Sequence, residues 1–444
     1  MKTNEDFREQ PPAEPDEFTA ADLEAQHPAD AAEAIEGLDI PDQVKFIKQL
    51  PIKDAAESIA EMEPYDQQAL VKQLNQGLAA RIVEQMSPDD ATDLLEGLDA
   101  ELRHALLIRV PAEERAELKT LLTFDPDTAG GVMNTEVVIL DQDVTPDQAI
   151  AVIRQEIEDK EVPYYAYLTD NKDRLTGVVS LRDLLLAKRG IAVKELIKEQ
   201  NLITVGYNVD KEEVAHLIAR YNLLALPVLD FGNRLLGVVT VDDVIDIIHE
   251  EASEDMQTMV GAGADESTDS PVSFSVRKRL PWLIINVLFS AISAWVVHLF
   301  EGNIASMAVL AVLMPIVANQ AGNTGQQALA VMIRQLAMER FDRKRAWVAV
   351  LRELRIGLIN GVIISTLVFC VVSIVSHKFI LAGVMGIALG VDMVLGAFAG
   401  AAIPLLLKEL GRDPAQASSI FLTTITDSMG FFFLLGLAGL ILLA

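Results

Sequence analysis

Two stretches of this chain carry polar groups where apolar ones would be easier. Pro315 to Gln327 reads PIVANQAGNTGQQ between two apolar runs, and Asp427 interrupts a later run in TTITDSMGFFFLLG. Amides, a hydroxyl and glycines at membrane depth raise the free energy unless they face protein, water or an ion. An ionised carboxylate there costs about 2.5–3.5 kcal/mol on insertion scales. Asp427 is expected to be the single carboxylate at that depth, and no Lys or Arg interrupts the cores of the other apolar segments to partner it. Ser418, Ser419, Thr423, Thr424 and Thr426 precede it and predict one polar flank. Asn319, Asn323 and Thr324 on one segment, with Ser419, Thr423, Thr424 and Asp427 on the other, therefore read as the lining of an ion pathway. In a dimer two such carboxylates would face each other, which like charges tolerate only around a counter-ion. The donors are all oxygen, with His298 and His377 near the outer ends of their segments, so a small hard cation fits. Magnesium, which keeps much of its water shell, suits a wide ring of amides and hydroxyls, and manganese and cobalt stay open.

The charge of the chain is divided unevenly. Of 65 acidic and 36 basic residues, positions 271–444 hold 8 and 13, which leaves 57 against 23, a net of −34, in residues 1–270. Such acidity excludes nucleic acid, which demands clustered Lys and Arg, and suits cations. The one cysteine, Cys370, lies in an apolar run, so neither a disulfide frame nor a thiolate site arises within one chain. The polar start, MKTNEDFREQPPAEPDE, has no apolar core and reads as a disordered lead over 1–20 rather than a signal.

Five apolar segments, at about 281–300, 304–333, 356–376, 381–407 and 417–444, are each long enough to cross a bilayer of roughly 30 Å. With the N-terminus inside, 12 of the 13 basic residues fall on the cytoplasmic side and Lys378 alone falls opposite, which sends the C-terminus outside. Upstream, residues 30–122 repeat with a period of 12, from Asp30-AAEAIEG-Leu38 to Glu114-RAELKTL-Leu122, each unit with a polar start and apolar residues three to four apart. That predicts eight short helices, unstable singly, stacked as a solenoid of hairpins with a pair every 24 residues. A second duplication relates RLTGVVSLRDLL (Arg174 to Leu185) to RLLGVVTVDDVI (Arg234 to Ile245), each with a strand starting at its Gly and a hydroxyl, Ser180 or Thr240, three residues before an Asp that opens a helix. This duplication resembles a tandem cystathionine-beta-synthase (CBS) domain pair. The resemblance implies a cradle for an adenine nucleotide at Tyr165, Ser180, Arg182 and Asp183, although a hydroxyl and an Asp also cap any strand-to-helix turn.

The order of acidic superhelix, CBS pair, acidic connecting helix and five apolar segments, with NQAGNTGQQ in the second and TDSMG in the fifth, resembles the MgtE family of magnesium channels. The implied fold is a multidomain membrane protein: a disordered lead at 1–20, an α-helical superhelix at 21–128, α/β tandem CBS domains at 129–248, a connecting plug helix and linker at 249–276, and a five-helix transmembrane domain at 277–444. The resemblance implies a homodimer in the bacterial cytoplasmic membrane, surrounded by lipid, that imports Mg2+ through a pore binding hydrated ion at Asp427. It also implies a cytoplasmic sensor at Asp90, Asp93, Glu212, Asp243, Asp246, Glu251, Glu254 and Asp255, where Mg2+ locks the plug and closes the pore, with ATP as a candidate regulator. Asn222 stands where some relatives carry Asp, which would weaken one sensor site. A transporter of other divalent ions is the alternative. An energy-coupled transporter lacks an inverted repeat to support it, a sensor without transport leaves the polar second segment unexplained, and an enzyme lacks a nucleophile–base pair or P-loop.

Overall fold

The computed structural model describes residues 26–156, 165–188, 190–197, 202–264, 266–268, 270–338 and 343–443, and the lead expected at 1–20 lies outside them. The chain divides into two compact units, Met1–Ile248 and His249–Ala444. Among the described residues the first begins with eight helices: α1 Pro28–Glu36, α2 Ile40–Ile47, α3 Ile52–Ala60, α4 Pro64–Gln73, α5 Gln76–Gln85, α6 Pro88–Gly97, α7 Ala100–Leu107 and α8 Ala112–Leu121. The 12-residue repeat becomes a ladder of buried side chains at Ile35, Ile47, Ile59, Val71, Val83, Leu95 and Leu107. Each helix packs on the one two along, α1 on α3, α2 on α4 and so on to α6 on α8, as hairpins repeating every two units must. Starts are set locally: Asn75, Ser87 and Asp99 accept amide protons from the first turns of α5, α6 and α7.

The duplication follows as two three-stranded sheets. In the first, β1 (Val138–Asp141) runs parallel to β2 (Tyr165–Thr169), which pairs antiparallel with β3 (Leu175–Ser180). The second repeats this order with β4 (Val205–Gly206), β5 (Ala225–Leu229) and β6 (Leu235–Thr240). The expected strand start at the Gly is corrected: β3 and β6 begin two residues earlier, so Gly177 and Gly237 lie within them. Gly237 is needed there because the Asn134 carbonyl approaches to 2.6 Å of where a Cβ would stand. Helices α9 (Pro146–Glu156), α10 (Leu181–Leu186) and α11 (Lys211–Tyr221) cover the sheets. Val137, Tyr167, Ala225 and Val238 form a core shared by the two copies. Asn222 closes α11 in the left-handed conformation at φ 51°, where Asn is better tolerated than most residues.

Helix α12 spans Val241–Met259, and the second unit continues with α13 Val272–Leu299, α14 Glu301–Ser306, α15 Val309–Met338, α16 Arg343–Ser376, α17 Phe379–Glu409 and α18 Ser418–Leu442. Among the described residues four helices, α13, α16, α17 and α18, are long and apolar enough to cross a membrane. The second expected crossing differs in two ways. Its start at 304 falls in the short α14, and its long part, α15, runs unbroken through Pro315 but carries too many amides to qualify by composition. Half of the apolar window of α17 is buried, and this helix packs on α15, α16 and α18. Its glycines let backbones touch: a Cβ at Gly396 or Gly400 would overlap the carbonyl of Ala321 or Gly325 on α15. Cys370 is exposed on α16, in agreement with a lipid-facing position. At the entry to α18, Ala417 takes a left-handed φ of 52° and donates its N–H to the Thr258 carbonyl near the end of α12, at 2.9 Å. Met259 packs there among Leu329, Ala399 and Leu422.

Candidate functional site

Helices α15 and α18 pack on each other and on α17, which places the two polar stretches side by side. On α18, Ser419, Thr423 and Asp427 follow at four-residue spacing and share one face, each half-buried in the single chain. The hydroxyls of Thr423 and Thr424 donate to the carbonyls of Ser419 and Ile420 at 2.8 and 2.9 Å, which turns their lone pairs outward as acceptors. The single polar flank expected here is split. Ser418 and Thr426 are buried, with hydroxyls bonded to Pro414 and Leu422 carbonyls. On α15, Asn319 and Asn323 are exposed, whereas Thr324 is buried and donates to the Gln320 carbonyl at 2.9 Å.

A second carboxylate overturns the expectation that Asp427 is alone. Asp392, on α17, is 0 % exposed, and among the described residues neither carboxylate oxygen has a hydrogen-bond partner. Its signal in the sequence is an Asp inside GVDMVLGAFAG, a like charge rather than a Lys or Arg partner for Asp427.

The cytoplasmic acids gather around the start of α6. Asp89 accepts a hydrogen bond from Asn134 Nδ2 at 3.2 Å, and the Asn134 backbone pairs in both directions with Val238 of β6, which docks α6 on the second sheet. Strand β6 leads into Thr240, whose hydroxyl donates to Asp243 at the head of α12. Ser87 likewise donates to Asp90 at 2.6 Å. This brings Asp90, Asp242 and Asp243 within electrostatic reach of one another, and Glu61 of the preceding hairpin within reach of Asp90, Asp242 and Asp246. Burial pushes the Asp90 carboxyl up, the Ser87 hydroxyl opposes it, and Asp242 adds to it. Burial pushes Asp243 to about 6, against its bond from Thr240 and with help from Asp242 and Asp90. Glu61 is raised by burial first and then by Asp90. Glu61 and Asp242 were not singled out from the sequence, because surface acids on short helices look like solvated faces until the hairpins dock. Among the described residues no three carboxylates or histidines converge into a ready-made metal cage. Such spacing fits an ion that reaches its acids through its own waters.

Asp93 is exposed on α6, and Glu212 opens α11 with a carboxylate oxygen 3.8 Å from His216 Nε2. Glu251, Glu254 and Asp255 belong to the part of α12 within the second unit. At the first sheet, Ser180 Oγ donates to Asp183 at 2.7 Å and accepts the Asp183 N–H at 3.1 Å, the cap of α10. Arg182 is exposed beside it and Tyr165 is half-buried on β2.

The raised acids have a testable consequence. A carboxyl with a folded pKa above its unfolded value contributes stability that is complete below the unfolded value, about 3.9, and is lost as the pH rises through the folded one. For Asp243 that loss builds upward from the unfolded value and is nearly complete just above about 6. In chelator, protease resistance of the first unit should therefore rise as the pH falls from roughly 7 to 5. Magnesium should restore it at the upper end. Equal digestion rates across that range in chelator would mean that the acids do not repel.

Comparison with known proteins places the chain. Residues 314–437 match the MgtE divalent cation transporter model, 26–127 the MgtE intracellular N domain, and 129–190 and 193–250 the CBS domain. The magnesium transporter MgtE of Enterococcus faecalis is 35% identical over 316 residues, covering 71% of this chain and 69% of that protein. The chain belongs to the MgtE family. The MgtE transporter of Thermus thermophilus is 35% identical over 332 residues, 74% of this chain and 73% of that protein. Among solved structures, the soluble part of a magnesium transporter aligns with TM-score 0.50 at 32% identity, covering 54% of this chain and 93% of that one. The cytosolic domain of the Mg2+ channel MgtE in complex with ATP aligns with TM-score 0.50 at 34% identity, covering 51% and 93%. MgtE proteins are membrane transporters whose helical N domain and CBS pair lie in the cytosol. The acids around α6 and the head of α12 lie within the N-domain and CBS matches, and Asp427 and Asp392 lie within the transporter match.

Proposed function

We propose that this protein is a magnesium channel that imports Mg2+ across the cytoplasmic membrane as a homodimer and is closed by cytoplasmic Mg2+. The observation that carries the reading is the all-oxygen face of α18: Ser419, Thr423 and Asp427 in register on an apolar helix, with no ion pair to Asp427 among the described residues. A hydrated ion held by one carboxylate per chain and a ring of acceptors matches the coordination habits of magnesium. Asn319 and Asn323 supply further oxygens from α15, and the two-fold pairing of chains supplies the second Asp427.

The gate follows from repulsion. Glu61, Asp90, Asp242, Asp243 and Asp246 disfavour the docked arrangement until divalent ions occupy the gaps, so high cytoplasmic Mg2+ favours it. Asp93, Glu212, Glu251, Glu254 and Asp255 extend this sensor along the superhelix, the second CBS copy and the plug helix. The domain limits of 21–128, 129–248, 249–276 and 277–444, and the outward C-terminus, belong to the same proposal. ATP regulation draws support from the relative's complex, and the nucleotide would sit at Tyr165, Ser180, Arg182 and Asp183. A transporter of Mn2+ or Co2+ is the second reading, favoured by the same oxygen donors.

Flux of Mg2+, Mn2+ and Co2+ into liposomes holding only this protein tests the reading, and sealed vesicles that admit none of the three would refute it. Replacing Asn319 or Asn323 by Leu should block permeation while leaving the thermal midpoint in detergent within about 2 °C of wild type, since both side chains are exposed in the single chain. A midpoint drop with flux preserved would assign these residues to helix packing instead.

A further inference from the structure

The reading above uses one acid of the transmembrane region and leaves another unexplained. Asp392 is 0 % exposed within the single chain, and both its oxygens lack hydrogen-bond partners among the described residues. A buried carboxylate without a donor or counter-charge is not a resting arrangement for a protein, because burial removes its water and returns nothing. Packing shows where the group points. A Cβ at Gly430 would overlap Asp392 Oδ2, so the carboxyl lies against α18 in the space that this glycine leaves, with Val317 of α15 beside it. Gly430 lies three residues beyond Asp427, and positions three apart on a helix share a face. The charge of Asp427 is the one that reaches Asp392 among the described residues. Asp392 therefore stands behind the α18 turn that follows Asp427, at the junction of α15, α17 and α18.

We propose that Asp392 is a specificity-determining residue of the cation pathway: a second acid, set in the wall behind Asp427, whose charge adds to the field that a divalent cation at Asp427 offsets better than a monovalent one. Charge counting carries the specificity. In the dimer the four carboxylates are half neutralised by one doubly charged ion, whereas a monovalent ion leaves three of the four charges uncompensated in a dry setting where that costs most. The inference rests on the reading of Asp427 as the ion site. It assigns Asp392 no direct bond to the ion, only a field that makes a divalent ion a better occupant than a monovalent one.

The test is Asp392→Asn in the full chain, reconstituted in liposomes, with Mg2+ uptake measured against external Mg2+ and K+ leak measured in parallel. Asn keeps the shape and removes the charge. The half-saturating Mg2+ concentration should rise at least about tenfold and the ratio of Mg2+ to K+ flux should fall, with maximal Mg2+ flux retained. If Asn folds poorly, Asp392→Ser removes the same charge from a smaller side chain and should give the same two shifts. A fall in maximal flux alone, with half-saturation and ion ratio unchanged, would mean a packing role and overturn the proposal, as would wild-type behaviour of both variants. Asp427→Asn in the same assay separates the two levels. If Asp427→Asn removes flux while the Asp392 variants match wild type, the second acid alone is refuted. If Asp427→Asn conducts normally, the ion site itself is wrong.

Discussion

Replacing Asp427 by Ala is expected to reduce divalent flux by roughly 100-fold or more while the protein still reaches the membrane folded, since losing a charged partner in a dry site costs 2–5 kcal/mol. The fold should survive because the side chain is half-buried and holds no ion pair among the described residues. Asp427→Asn, which keeps the shape, should lose ion discrimination along with flux. The loss would not come from emptying the membrane region of negative charge, for Asp392 remains buried nearby. It would come from position: α18 offers Asp427, together with Ser419 and Thr423, on one face. Magnesium uptake by either variant in a magnesium-starved host at the wild-type rate would sink the assignment.

The second large effect concerns closure. Changing Asp243, Asp246, Glu251, Glu254 and Asp255 together to their amides should leave the channel conducting at cytoplasmic Mg2+ levels that silence the wild type. Shifting a gate from 1:99 to 99:1 requires about 5.5 kcal/mol of differential binding, and an exposed ion contact supplies at most about 1 kcal/mol. Closure must then draw on several acids at once, so single substitutions should move the midpoint and the fivefold variant should abolish it. Protection from protease by Mg2+ should vanish in parallel, because the compact arrangement would no longer be favoured by the ion. Patch recordings that still show closure with the wild-type midpoint would place the sensor on other acids, with Glu61, Asp90 and Asp242 the next to change.

What could be read from the sequence was whatever repeats or breaks a local pattern. The buried ladder from Ile35 to Leu107 advances by the repeat itself, so stacking could be inferred before any contact was seen. Ser180 and Thr240 mark their strand-to-helix turns for the same local reason. Asp392 did not announce its isolation, because whether an acid is stranded depends on which helices close over it, and α15, α17 and α18 are brought together by glycines far apart in sequence. Glu61 and Asp242 were lost in a chain with 65 acids, where only docking through Asp89, Asn134 and Val238 decides which of them meet. The polar run leaves α15 unbroken, since its amides are side-chain groups and leave the backbone bonds intact.

The bond from the Ala417 N–H to the Thr258 carbonyl joins main chain to main chain. Asp427 lies ten residues farther along, about 15 Å at helical rise, on a rod that transmits a push at its end with little loss. The link itself needs only the hydrogen at 417, which proline would remove, while the buried, left-handed position of Ala417 restricts the side chains that fit there. Homologues could therefore change the side chain at 258 while keeping the linkage, so that end of the machinery would leave no trace in an alignment and is inherited as chain geometry.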